Sequence, residues 1–348
     1  MDHAQKGMFL SAAFWGLVLA MLVSGPLADR RGFRAVLPVG AALQATGLCL
    51  ISVAHSQWLA LAGGISLGAG TGMADALFTP LVCTVYPRRR TRVSNLLHAF
   101  YPIGLVLTIS LILALRHWSW TWRGIFLVLA VLALPHGLAV LFLRLPTSSY
   151  EGPTRLALRR ILRKGPFLLI VGGIFLAGVT EMGPSSWLPN FVEEATHASQ
   201  AIGGVGMLLF GVTMIAGRLS AAVMVERLGL RRFFVVGSVL CTASLLLAAA
   251  PVGTVFTISW LCVLGFGVAG FWPTILACAG DRFPQAGASM YSLLSASGCF
   301  GAAVAPIAIG LAAGHLGLAG AMAMLVVAPL ILIILMVQLL KSPLPPVA

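Results

Sequence analysis

Acidic charge is what this sequence has least of: 9 Asp and Glu against 22 Lys and Arg in 348 residues, with all charged residues together at 9%. A water-soluble domain cannot cover itself with so few charges when 59% of its residues are hydrophobic and its mean hydropathy is +1.00. Soluble globular folds are therefore excluded. The chain also lacks an HExxH, a P-loop and any His or Cys group at metal-ligand spacing, so nothing points to ATP hydrolysis, metal-dependent proteolysis, a metal or another cofactor. The six cysteines, Cys49, Cys83, Cys241, Cys262, Cys278 and Cys299, all fall inside apolar stretches without a CxxC pair and read as small core residues.

What remains is a series of apolar stretches of about 20 residues, the length a helix needs to cross the hydrocarbon of a bilayer. The reading is an all-α membrane protein of eleven helices, five followed by six. The first five spans are 7 to 28, 35 to 54, 58 to 86, 93 to 115 and 124 to 143. The other six are 167 to 189, 201 to 225, 233 to 250, 254 to 279, 287 to 312 and 317 to 340. The first apolar run is followed by Asp29, Arg30, Arg31 and Arg34, which marks a spanning helix in preference to a cleaved leader. A basic linker, 144 to 166, carries Arg144, Arg155, Arg159, Arg160, Arg163 and Lys164 and separates a bundle at 1–143 from one at 167–348.

The net charge of +13 is distributed in short loops at alternate helix ends and forms no single patch, so it speaks for membrane topology and against nucleic acid. With the linker cytoplasmic, only Lys6, Arg116 and Arg123 fall outside, the C-terminus is inside, and the inner membrane is the expected location.

Sliding the chain along itself gives matches at a constant offset of 197 residues, without a gap. Asp29-Arg30 meets Glu226-Arg227, Gly32 meets Gly229, Arg34 meets Arg231, and Leu67-Gly68 meets Leu264-Gly265. Gly70 meets Gly267, Pro87 meets Pro284, and Gly104 meets Gly301. Landmarks of different types in one register over some 75 residues indicate duplication, and two related halves are the signature of many secondary transporters, which move one half against the other around a site near the midplane. At this offset the helix at 167 to 189 has a counterpart before residue 1, so the first half reads as one helix short.

Gly25-Pro26-Leu27-Ala28-Asp29-Arg30-Arg31-Gly32-Phe33-Arg34 resembles the signature between the second and third helices of the major facilitator superfamily, and Gly217 to Arg232 resembles its degenerate second copy. The resemblance implies a two-bundle, twelve-helix fold with the first helix absent. Asp75 to Thr79, Asn95 to Phe100, and Glu181 with Trp187 and Pro189 are similar to the fucose permease-like branch of sugar/proton symporters. In the superfamily the loop cluster forms an inside gate, which would here comprise Gly25, Asp29, Arg30 and Arg34 with Glu226, Arg227 and Arg231. The alternative is that these arginines serve topology only. Asp29 lies at the C-terminal end of its helix, where the macrodipole disfavours an anion, and Arg30, Arg31 and Arg34 are the nearby candidates to compensate it.

Only Asp75 and Glu181 are acids well inside the spans. An ionisable group at membrane depth is costly and marks a proton or substrate pathway, unless it is a neutral carboxyl bonded to a neighbouring helix. Asp75 is the first choice for proton coupling, and His98 either pairs with it, titrates itself or makes a helix–helix hydrogen bond. Tyr101, Trp187, Asn190 and Trp272 are candidate substrate contacts, although membrane tryptophans also serve as interfacial anchors. Gly64, Gly68 and Gly72 place small residues on one helix face for close packing. The function expected is proton-coupled uptake of a sugar-like or other small polar solute by a monomeric, non-enzymatic carrier embedded in lipid. The alternatives are an exporter of amphipathic compounds on the same fold and a truncated membrane remnant or partner protein.

Overall fold

The computed structural model describes residues 3–143, 145, 159–250, 252–284 and 286–342. Among these there is no strand. The first five helices are α1 (His3–Arg31), α2 (Phe33–Ser52), α3 (Gln57–Val85), α4 (Arg90–His117) and α5 (Trp122–Phe142). Then follow α6 (Gly165–Thr196), α7 (Gln200–Ala248), α8 (Thr254–Val268), α9 (Phe271–Arg282), α10 (Gly287–Met324) and α11 (Val327–Lys341). Of the basic linker, Arg144 and Arg155 lie outside the described residues.

Nine helical segments among the described residues are long and apolar enough to cross a membrane, and two of them, Ala201–Ala248 and Gly287–Lys341, run to 48 and 55 residues. A span needs only about 20. Both long segments break at a glycine with a backbone that only glycine adopts readily, Gly229 (φ 75, ψ 156) and Gly317 (φ 68, ψ 166). Counting each as a pair turns nine spans into eleven, at the positions the apolar runs indicate. The 197-residue repeat is visible in the backbone as well. The starts of α1 and α7, of α3 and α8, and of α4 and α10 are each 197 residues apart, and Gly32 (φ 80, ψ 162) makes in the first half the turn that Gly229 makes in the second.

By packing, the chain sorts into two units, neither continuous in sequence. The first holds residues up to Arg88, Ser110–Arg163 and Phe283–Cys299. Its α1 and α3 meet through glycine: a Cβ at Gly68 or Gly72 would run into the carbonyls of Ala13 or Leu17, and one at Gly16 into that of Ile65. Small residues let helix backbones approach where lipid offers no hydrophobic drive to associate. Helix α2 joins α5 through Arg34, which donates to the carbonyl of Leu141, and through Ser52, which donates to that of Arg123 at 2.8 Å. A core of Ala28, Phe33, Val36, Leu37, Leu77, Val140 and Ala288 lies beside these contacts.

The second unit holds Arg89–Ile109, Lys164–Arg282 and the chain from Phe300. Its core is built on Phe233, Phe234 and Phe271, with ring centroids 5.4 to 6.4 Å apart. Glycines again set the closest approaches, Gly217 against the carbonyl of Phe266 and Gly301 against that of Phe175.

Candidate functional site

Within the second unit a cation and an anion are buried at membrane depth. Glu181 lies 16 residues into the 32-residue α6, and Arg218 lies 11 residues before the break at Gly229, about 16 Å along a helix. Arg218 Nη2 donates to Glu181 Oε1 at 2.6 Å, and the two side chains are only 3% and 6% exposed. Two backbone carbonyls complete the hold on the guanidinium: Nη1 donates to His98 O and Nε to Ala269 O at 3.2 Å. The Tyr101 ring lies beside it, with the guanidinium carbon 5.3 Å from the ring centroid, and the Tyr101 hydroxyl reaches Met182 Sδ at 3.7 Å.

Each part of this site has a local cause. Burying one charge costs several kcal/mol, and a partner with further hydrogen bonds offsets it. The carbonyl of His98 lacks its regular helical donor within α4, because the residue four places on is Pro102, which has no N–H, and it turns to Arg218 instead. The Ala269 carbonyl is within reach because α8 ends at Val268 and α9 begins at Phe271, so the backbone there is loosened from regular helical pairing.

Of the sequence candidates, Glu181, His98 and Tyr101 thus come together, and Arg218 is the residue that sequence reasoning missed. It belongs to none of the basic loops assigned to a membrane side, because it sits within a span. The signal was present: a lone Arg in the apolar run 201 to 225, beside the Gly217 that opens the second copy of the loop signature. Asp75 lies on α3 of the first unit, partly buried. Trp187 and Asn190 follow Glu181 along α6, and the Trp187 indole donates to the carbonyl of Pro306 at 3.0 Å, while Asn190 is exposed. Trp272 is buried, and its Nε1 has no hydrogen-bond partner among the described residues.

The loop signature has a second geometry, in the first unit. The Asp29 carboxylate accepts from the backbone N–H of Ala288 and of Ser289, both at 2.9 Å, and from the Ser289 hydroxyl. Asp29 is thus an N-cap supplied from another helix: it satisfies orphan amides of α10 and meets the positive end of that helix dipole. Sequence reasoning sought the compensation of Asp29 in Arg30, Arg31 and Arg34, because a loop reveals its own charges and not the distant helix end it faces. Gly25, one turn before Asp29, is small for the same packing, since a Cβ there would strike Ser292. Glu226, the repeat counterpart of Asp29, is exposed, as is Arg227. In the second unit the matching helix end, that of α4, is held differently: Arg90 donates to the carbonyl of Gly280 at 2.6 Å and pairs with Asp281 at 3.3 Å.

The model of the Major Facilitator Superfamily matches residues 1–221 and 170–348, which together span the chain. The chain belongs to the major facilitator superfamily. Membrane protein MosC of Rhizobium meliloti is 24% identical over 321 residues, covering 92% of this chain and 78% of that protein. Multidrug resistance protein MdtL of Salmonella schwarzengrund is 31% identical over 168 residues, 47% of this chain and 41% of that one. Among solved structures, the E. coli fucose:proton symporter FucP superposes with a TM-score of 0.81, covering 98% of this chain and 92% of that one at 16% identity. The superfamily's helical transporter fold is thereby shown for a multi-pass membrane protein, and at that identity the likeness to FucP is one of fold.

Proposed function

We propose that the chain is a secondary active carrier that couples proton movement to the uptake of a small polar solute by alternating access. The buried pair of Glu181 and Arg218 carries this reading. A buried ion pair within the spans is an expensive feature for a purely structural bundle, and a carboxyl that can exchange a proton for its cationic partner is what coupling requires. Asp75 and Glu181 are the two carboxyls of the spans, one in each sequence half, and both are assigned to the path of the coupling proton, with His98 beside the Arg218 site. Tyr101, Trp187, Asn190 and Trp272 are assigned to the solute. The Asp29 cap on α10 and the clasp of Arg90 on Gly280 and Asp281 are assigned to a gate at the basic end, which we place in the cytoplasm together with the C-terminus, with 1–143 and 167–348 as the moving bundles.

A second reading, export of amphipathic compounds, is favoured by the likeness to MdtL over nearly half of the chain. The two separate in right-side-out proteoliposomes loaded with a pH-sensitive dye. Uptake predicts proton entry on adding an external solute, lost in Asp75→Asn while solute counterflow continues. Proton-driven accumulation that survives Asp75→Asn would remove Asp75 from the coupling role, and proton-driven extrusion of a lipophilic dye cation would establish the exporter.

A further inference from the structure

Arg218 cannot shed its charge, and buried as it is here, at 3% exposure, it requires an anion beside it. Of the acceptors that hold it, the carbonyls of His98 and Ala269 carry no net charge. Glu181 alone neutralises it, through one oxygen. The three hydrogen bonds use three of the five guanidinium N–H groups, so the planar fork retains donors for a second, two-point acceptor. Tyr101, which lies beside the guanidinium, is 47% exposed and gives the site a neighbour that an incoming solute can reach.

We infer that Arg218 is the seat of a carboxylate on the transported solute and that Glu181 is its exchangeable counter-ion, so that the substrate is a small monocarboxylate moved together with one proton. Resting on the carrier reading above, this inference names the substrate class of the same site. The exchange balances: Glu181 carboxylate on Arg218, plus a proton and a substrate carboxylate, gives a neutral Glu181 carboxyl and the substrate carboxylate on Arg218. The site has the same net charge before and after, and no bond other than the O–H of Glu181 is formed. A neutral solute bound with a proton would instead leave the guanidinium buried without a counter-ion. The groups that bear on Glu181 are Arg218 from α7 and His98 and Tyr101 from α4. On α8, α9 and α11 the nearest charged residues in sequence are Asp281, Arg282 and Lys341, all at helix ends.

The test uses the full chain in proteoliposomes and two matched pairs of poorly membrane-permeant solutes, D-glucuronate with D-glucose and D-gluconate with D-glucitol. Proton entry is expected with the acids and absent with their neutral partners, and a potassium diffusion potential of about 100 mV of either sign should leave its rate unchanged, because the exchange moves no net charge. Equal proton entry with the neutral partners, or a rate that follows the potential, would overturn the inference while leaving a proton-coupled carrier. Absence of both proton entry and counterflow for all four would remove the carrier reading with it. In Glu181→Gln, which has no ionised competitor for Arg218, glucuronate should bind about tenfold tighter than in the parent at neutral pH, with counterflow retained and proton movement lost; equal affinity would count against the exchange. If that variant does not fold, the apolar double variant Glu181→Leu with Arg218→Leu should show no carboxylate binding, and binding that persists there would refute Arg218 as the seat.

Discussion

At the scale of single residues, Glu181 and Arg218 differ in what they do when left alone. A buried carboxyl can take a proton and become neutral, whereas a guanidinium stays charged. Glu181→Leu should therefore destabilise the protein by about 3–5 kcal/mol, the range for breaking a buried pair, and Arg218→Leu by less. The double replacement should recover most of the loss, since an apolar pair of similar volume replaces both charges. Thermal unfolding in detergent measures all three; a double variant less stable than Glu181→Leu would show that the pair is not the main interaction at this site. Glu181 was legible in the sequence because acids are rare within the spans. Arg218 was passed over because basic residues are common in this chain, and the count of loop charges absorbed it. The two carbonyls it meets, of His98 and Ala269, each lie four residues before a proline, Pro102 and Pro273, so the sequence marks them as short of a regular helical donor but does not say which side chain reaches them.

At the scale of elements, the positions of the helices were readable because a bilayer imposes one length on each apolar run, and the 197-residue offset constrained both halves together. The turn glycines were readable too: Gly32 and Gly229 share one backbone geometry, and a side chain at either would meet no neighbour. Any loss on substitution at Gly229 thus comes from the backbone alone. Gly229→Ala should cost about 1–3 kcal/mol, although the added methyl group touches nothing. Gly104→Ala, in helical conformation and equally unobstructed, should be neutral or stabilising by up to about 1 kcal/mol. Melting curves of the two variants decide this, and a Gly229→Ala protein as stable as its parent would show that the turn relaxes without glycine. Periodicity and length do not say which neighbour a helix end selects. That is why the capping of α10 by Asp29, and the clasp of Arg90 on Gly280 and Asp281, became visible only in three dimensions.

At the scale of the whole molecule, each packed unit contains a helix segment from the other half of the sequence: Arg89–Ile109 lies in the second unit and Phe283–Cys299 in the first. If the sequence halves are the bodies that move, these segments must leave their present neighbours in each transport cycle, and the Asp29 cap on α10 is among the contacts that must break. Such a cap, with two backbone amides and a hydroxyl on one carboxylate, suits a contact that forms and releases repeatedly. It is worth on the order of 1 kcal/mol, small enough to be reversed by binding a solute. Cysteines at positions 29 and 289, in a background without the six native cysteines, joined by a short reducible bifunctional reagent, should therefore stop transport, and reduction should restore it. The same reagent on either single-cysteine variant controls for modification itself. Transport that continues in fully cross-linked protein would mean that α1 and α10 travel together, and the moving bodies would then be the packed units and not the halves of the repeat.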